Sequence, residues 1–126
     1  MAAWLSADFE SEPYFGAGWG DAQRTGTGPV RQGEAGATLF LPLEQDRAYH
    51  ASLDLAAVET QALDVTLNGV QVGACELRTG RPCELTFPAA AVVAGINTLT
   101  LIPPGGEPTP GRTVFTFRGA RIAMIR

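Results

Sequence analysis

The chain has 126 residues, 45 % hydrophobic and 17 % charged, with Gly 15, Pro 9 and a net charge of −4; this suits one domain over residues 1–126 that buries about two-thirds of its unfolded surface without needing a metal or a disulfide. The charged fraction lies below the roughly 25 % usual in soluble domains, which disfavours helices with solvated Glu and Lys faces. All nine basic residues are Arg, scattered singly among thirteen acids, which excludes the basic stripe that nucleic-acid binding requires, and no apolar run approaches the roughly 20 residues of a membrane-spanning helix.

Residues 1–12 hold no Lys or Arg and turn acidic at Asp8, which is not the pattern of a signal peptide. An export signal would lie elsewhere, as in a larger parent protein. Trp4, Leu5 and Phe9 predict a first strand. A Gly-rich stretch from Gly16 to Gly36 then reads as a long loop, functional or packed on itself. Ala37 to Leu41 reads as a strand closed by Pro42. Tyr49 to Ala57 alternates, with Tyr49, Ala51, Leu53 and Leu55 on one face and His50, Ser52 and Asp54 on the other, as a half-buried strand does.

Gln61 to Leu67 alternates in the same way and runs into Asn68-Gly69. A type I′ hairpin turn needs positive φ at both central residues, which Asn tolerates and Gly allows freely, so Val70 to Leu77 is predicted as the returning partner strand. Cys83 to Phe87 is a short strand that stops at Pro88. Ala89 to Val93 predicts one helical turn ended by Gly95. Asn97 to Ile102, Arg112 to Phe117 and Ala120 to Ile125 supply three more strands. Eight or nine short strands with turn signals between them, and no internal repeat, predict a two-sheet antiparallel sandwich.

Cys75 and Cys83 flank the turn Arg78-Thr79-Gly80-Arg81-Pro82. In a hairpin centred on Thr79 they would face one another, which makes a cross-strand disulfide available. Two buried free thiols are the alternative, and the one expected, because two cysteines are not a disulfide framework and lack the spacing of a zinc site.

The order of these segments resembles a known family. Val65-Thr66-Leu67-Asn68-Gly69-Val70-Gln71-Val72-Gly73, followed by Leu85-Thr86-Phe87-Pro88 and then Gly95-Ile96-Asn97-Thr98-Leu99, with Ala37 to Leu43 before them, resembles the galactose-binding-like jelly-roll modules of bacterial glycan-handling proteins. These include carbohydrate-binding modules of glycosidases and jelly-roll domains appended to membrane glycosyltransferases. Tyr14-Phe15-Gly16-Ala17-Gly18-Trp19 is similar to the opening of such modules. Related chains often carry a Trp where this one reads Val30 to Glu34. The resemblance implies an all-β jelly-roll and a non-catalytic glycan-binding role, accessory to a glycosyltransferase or glycosidase. The partner it implies is a glycan or small saccharide, with neither nucleic acid nor direct membrane insertion. The competing reading is a structural or protein-interaction sandwich with no sugar ligand.

Sugar recognition needs an aromatic face for C–H groups and planar polar side chains for hydroxyls. Trp19, Tyr14 and Phe15 in the Gly-rich stretch, with Asp21, Gln23 and Arg24 beside them and Arg31 and Arg112 on or next to loops, form the candidate site. The guanidinium fork suits carboxylates or vicinal hydroxyls. The opposing reading has the three rings plug the open end of the sandwich, with the Arg side chains solvated. Trp4 is expected in the core or at the sandwich edge. No cofactor is expected; a structural Ca²⁺, implied by the resemblance, would draw on Asp8, Glu10 and Glu12, although no dense Asp/Asn loop is present. The lone His50 sits on an alternating strand, and no nucleophile elbow accompanies it, so no catalytic triad is read here.

Overall fold

The computed structural model describes residues 2–6, 14–20, 23–25, 28–58, 61–77, 81–104 and 113–125. Ten strands follow in chain order: β1 (Ala2–Ser6), β2 (Gln23–Thr25), β3 (Gly28–Glu34), β4 (Ala37–Leu43), β5 (Tyr49–Ala57), β6 (Ala62–Leu67), β7 (Val70–Glu76), β8 (Cys83–Phe87), β9 (Gly95–Ile102) and β10 (Thr113–Met124). All pairings are antiparallel. One sheet has the order β2-β3-β10-β5-β8, with β1 also paired to β10, and the other the order β4-β9-β6-β7. The eight strands β3 to β10 make the body of an all-β jelly-roll sandwich, and the short β1 and β2 extend the first sheet.

Period-two patterning decides which side chains meet between the sheets. Leu53 and Leu55 on β5, with Phe115, Phe117 and Ile122 on β10, face Leu63, Val65 and Leu67 on β6 and Leu99 and Leu101 on β9, all in one core. Asn68 and Gly69 turn the β6–β7 hairpin with φ of 53° and 83°, as the sequence predicts. Strand β4 runs on through Pro42 to Leu43. Because β4 is the end strand of its sheet, a residue with no N–H is tolerated there.

Three expectations are corrected. The stretch from Gly16 to Gly36 is not one loop, for it contains β2 and β3. Gly33 is the physical reason β3 fits beside β10. It pairs with Phe115, and a methyl group at Gly33 would collide with the Phe115 ring. The two strands expected after Arg112 are one strand, β10, bulged between Phe117 and Gly119 opposite β5. The slip in alternation at Arg118-Gly119 marks this bulge and not a break between strands.

The third correction concerns the cysteines. Cys75 and Cys83 form a disulfide, with an S–S distance of 2.05 Å and a Cα–Cα distance of 5.3 Å, and no described cysteine is free. The chain between them does not make a hairpin: β7 ends one sheet and β8 ends the other, so the bond staples the two sheets at one side of the sandwich. The half-cystines are 8 residues apart. A loop that short predicts that the double variant Cys75→Ala/Cys83→Ala loses roughly 2–3 kcal/mol. Guanidinium unfolding of the two forms measures the difference, and equal midpoints would show the staple to be energetically idle.

Candidate functional site

The segment 14–20 closes the side of the sandwich opposite the disulfide. It makes a bridge with β4 at Phe15 and Leu39 and another with β3 at Trp19 and Gly33, so it spans both sheets. Its backbone N–H groups at Gly16 and Gly20 donate to the carbonyls of Thr38 and Gln32, each at 2.9 Å. The Thr38 and Glu34 N–H groups donate back to Ala17 at 3.0 Å and to Gly18 at 2.8 Å. We refer to this segment as the clasp.

The clasp gathers three of the sequence-predicted site residues and turns them inward. Trp19 meets Phe115, Phe117 and Phe15 edge-on, with ring centroids 5.0–5.5 Å apart, and its Nε1–H donates to the Thr38 carbonyl at 2.6 Å. Phe15 also meets Phe117, at 5.7 Å. Tyr14, Phe15 and Trp19 are partly buried against the core. Aromatic rings in edge-to-face contact fill space efficiently, and here they fill the gap between β3 and β4.

Arg31 is expected on or next to a loop and open to a ligand; the structure places it within β3 and turns it inward. It lies on β3 in register with the inward Phe117 and is only 2 % exposed. Its guanidinium stacks on the Phe15 ring with Cζ 4.3 Å from the centroid, and Nη1 donates to the Gly20 carbonyl at 3.1 Å. A guanidinium so placed holds the clasp and does not reach solvent. Asp21 and Arg112 lie outside the described residues, as do the side chains of Arg24 and Trp4. The candidate calcium ligands Asp8, Glu10 and Glu12 also lie outside them. Among the described residues no group of three or more His, Cys, Asp or Glu comes together.

A second region has no counterpart among the sequence-predicted site residues. A cleft of about 170 Å³ opens on the outer face of the larger sheet, lined by Ser52, Asp54, Arg118, Gly119, Ala120 and Arg121. The bulge in β10 creates it. Residues three apart on a regular strand point to opposite faces. Phe117 pairs with Leu55, Gly119 with Asp54 and Arg121 with Ser52, so Arg118 is the inserted residue. Phe117 and Ala120 therefore both face the core, while Arg118 and Arg121 are both exposed. Between them Gly119 has no side chain to fill the space beside Asp54. Further along the same face, His50 Nε2 lies 3.7 Å from a Glu84 carboxylate oxygen, and both are solvent-exposed. That agrees with the solvent-facing position the alternation gives His50.

The two motif asparagines also meet. Asn68 Nδ2 donates to Asn97 Oδ1 at 2.8 Å and to the Ala91 carbonyl at 2.9 Å. Asn68 Oδ1 accepts from the Thr98 N–H at 2.9 Å. This side chain extends the β6–β9 ladder beyond the end of β6. Asn97 is fully buried, yet both ends of its amide are engaged with the chain around it.

No protein-family model matches this chain, and no curated protein matches it. Among solved structures it is similar to a family 6 carbohydrate-binding module of Cellvibrio mixtus lichenase 5A in complex with cellotriose, at a TM-score of 0.63 and 14 % identity over 98 % of both chains. It is also similar to a family 35 carbohydrate-binding module from an environmental isolate, at 0.61 and 17 % identity over 96 % of this chain and 93 % of that one. A third likeness is to the Podospora anserina GH26-CBM35 β-(1,4)-mannanase, at 0.59 and 14 % identity, where 99 % of this chain matches 28 % of that one. These likenesses establish the fold: the chain has the two-sheet antiparallel jelly-roll architecture that these carbohydrate-binding modules share.

Proposed function

We propose that this domain is a non-catalytic glycan-recognition module, and that its saccharide lies in the Arg118–Arg121 cleft instead of against Trp19. One observation carries the reading. The chain matches a carbohydrate-binding module over 98 % of both chains, while its outer sheet face offers hydroxyl, carboxylate and guanidinium groups around Gly119, which has no side chain. A saccharide's hydroxyls donate to the carboxylate and accept from the guanidinium groups, and these hydrogen bonds give orientation and specificity. The indole N–H of Trp19 is already bonded to Thr38, and its edge contacts face inward, so the clasp acts as a wall of the fold.

The likeness to one segment of a mannanase supports an accessory role beside a glycosidase. The Cys75–Cys83 disulfide supports work in an oxidising compartment, outside the cytoplasm. No helix among the described residues is long and apolar enough to cross a membrane.

Calorimetric titration with cello-, xylo-, manno- and uronic-acid oligosaccharides tests the reading. At least one binds, and Asp54→Ala weakens that binding by about tenfold, the worth of one charge-assisted hydrogen bond, without moving the thermal midpoint. No binding to any of them, together with a dimer in solution, would favour a protein-interaction sandwich.

A further inference from the structure

We infer that the cleft selects a saccharide bearing a carboxylate, a uronic acid, and that Arg118 and Arg121 form its anion clamp. This rests on the cleft being the glycan site and adds the ligand's class to that reading.

The bulge is the first ground. It is the local departure that brings Arg118 and Arg121 to one face; a regular β10 would send one of them into the core. Bulges re-aim side chains at functional sites, and this one re-aims a cation. Second, the charges of the sandwich are segregated. Strands β4, β6, β7 and β9 of the smaller sheet contain no Arg and only two acids, Asp64 and Glu76. The described outer face of the larger sheet carries both Arg118 and Arg121 together with Asp54 and Glu84, so the cations of the sandwich gather on this side. Third, among the described residues no salt bridge within 4 Å joins either guanidinium to an acid; Glu84 on the same face lies 3.7 Å from His50 instead. Arg118 and Arg121 against Asp54 leave the cleft locally cationic on a protein whose net charge is −4.

Planar guanidinium groups match a carboxylate in a two-pronged geometry that a neutral hydroxymethyl group cannot reproduce. Asp54 and Ser52 across the cleft are placed to accept from and donate to ring hydroxyls, which fixes the sugar's orientation. The Gly119 floor gives room for a ring to lie flat on the strand. The net charge of −4 gives no long-range attraction for an acidic sugar, so the preference is assigned to local guanidinium groups, here Arg118 and Arg121.

The experiment is a paired titration of the intact chain with a galacturonate tetrasaccharide and with its carboxyl-reduced, neutral counterpart of the same linkage. The acid form is expected to bind at least about tenfold more tightly, the worth of one charge-assisted hydrogen bond. Arg118→Ala and Arg121→Ala, both at exposed positions that leave the melting temperature in place, each abolish most of that preference. Arg121→Lys keeps the charge but loses the fork, and retains only part of it. Equal binding of the two tetrasaccharides, or a preference that survives in both Ala variants, overturns the anion clamp while the glycan reading stands. No binding of either tetrasaccharide, with binding to a neutral glycan that Arg121→Ala leaves intact, also overturns it. No binding of any saccharide overturns both readings together.

Discussion

Trp19→Ala is expected to cost the domain about 3 kcal/mol, the low end of the range for removing a large aromatic from a core because the ring is only partly buried, and so a large share of the roughly 5–15 kcal/mol that holds a native domain together. The expectation follows from where the ring sits. Trp19 touches Phe15, Phe115 and Phe117, so its loss leaves three aromatic edges facing a void and frees the clasp that joins β3 to β4. Thr38 would also lose a donor. Trp19→Phe keeps most of the packing and removes the N–H, for a smaller loss of about 1–2 kcal/mol. Guanidinium unfolding of the three proteins, with glycan titration alongside, separates the two roles open to this residue. A structural Trp19 shows the graded loss of stability. A stacking platform would show unchanged unfolding midpoints with binding abolished in the Ala variant, and that outcome would return the ligand to the clasp.

Much of the sandwich is legible in the sequence because short-range rules fix it. Alternation from Tyr49 to Leu55 and from Leu63 to Leu67 places the core faces, and Asn68-Gly69 places the hairpin. These features depend on period and turn chemistry that lie within a few residues. What escapes depends on partners distant in sequence. Nothing local shows that Gly28 to Glu34 is a strand, because its support comes from Phe115 and Phe117, far along the chain. Arg31 reads as a loop cation until its register with Phe117 turns it inward. Cys75 and Cys83 look like facing residues of a hairpin, whereas the chain between them changes sheets, and that choice is made by the whole strand order.

The candidate site shows the same division. Its aromatic half is legible as a cluster, since the spacing of Tyr14, Phe15 and Trp19 does bring the three rings to one segment; which way the cluster faces is not encoded there. The polar cleft has one legible signal. A Gly inside a strand pattern marks a bulge, and Phe117-Arg118-Gly119-Ala120 breaks alternation at such a Gly. A bulge at that position is enough, by period alone, to put Arg118 and Arg121 on one face.

Asn97 carries the other large expectation, and it links the motif to the fold. Its Oδ1 accepts from Asn68 Nδ2 and from the Val93 N–H, each at 2.8 Å. Its Nδ2 donates to Val93 and Gly95 carbonyls at 3.0 Å and reaches Leu41 at 3.4 Å. Through one amide, β4, the β6–β7 turn and the connection into β9 are held together. Asn97→Leu keeps the branched shape in a larger, apolar side chain and strands those groups without partners, at a cost of about 3–4 kcal/mol. Asn97→Asp keeps the shape and gives a sharper test. Its new oxygen faces carbonyls in a dry site, where burial and the carbonyl dipoles hold the carboxyl protonated, above its unfolded pKa. A group with a raised folded pKa stabilises below its unfolded pKa and loses that contribution as pH rises through the folded value. Relative to the parent chain, Asn97→Asp is therefore least destabilised near pH 4 and progressively worse toward pH 7. Urea midpoints of both proteins across that range measure the trend. A difference that stays flat, or that shrinks as pH rises, would mean that the amide nitrogen at this position is not directed at the backbone carbonyls and that the asparagine pair is not what joins the hairpin to β9.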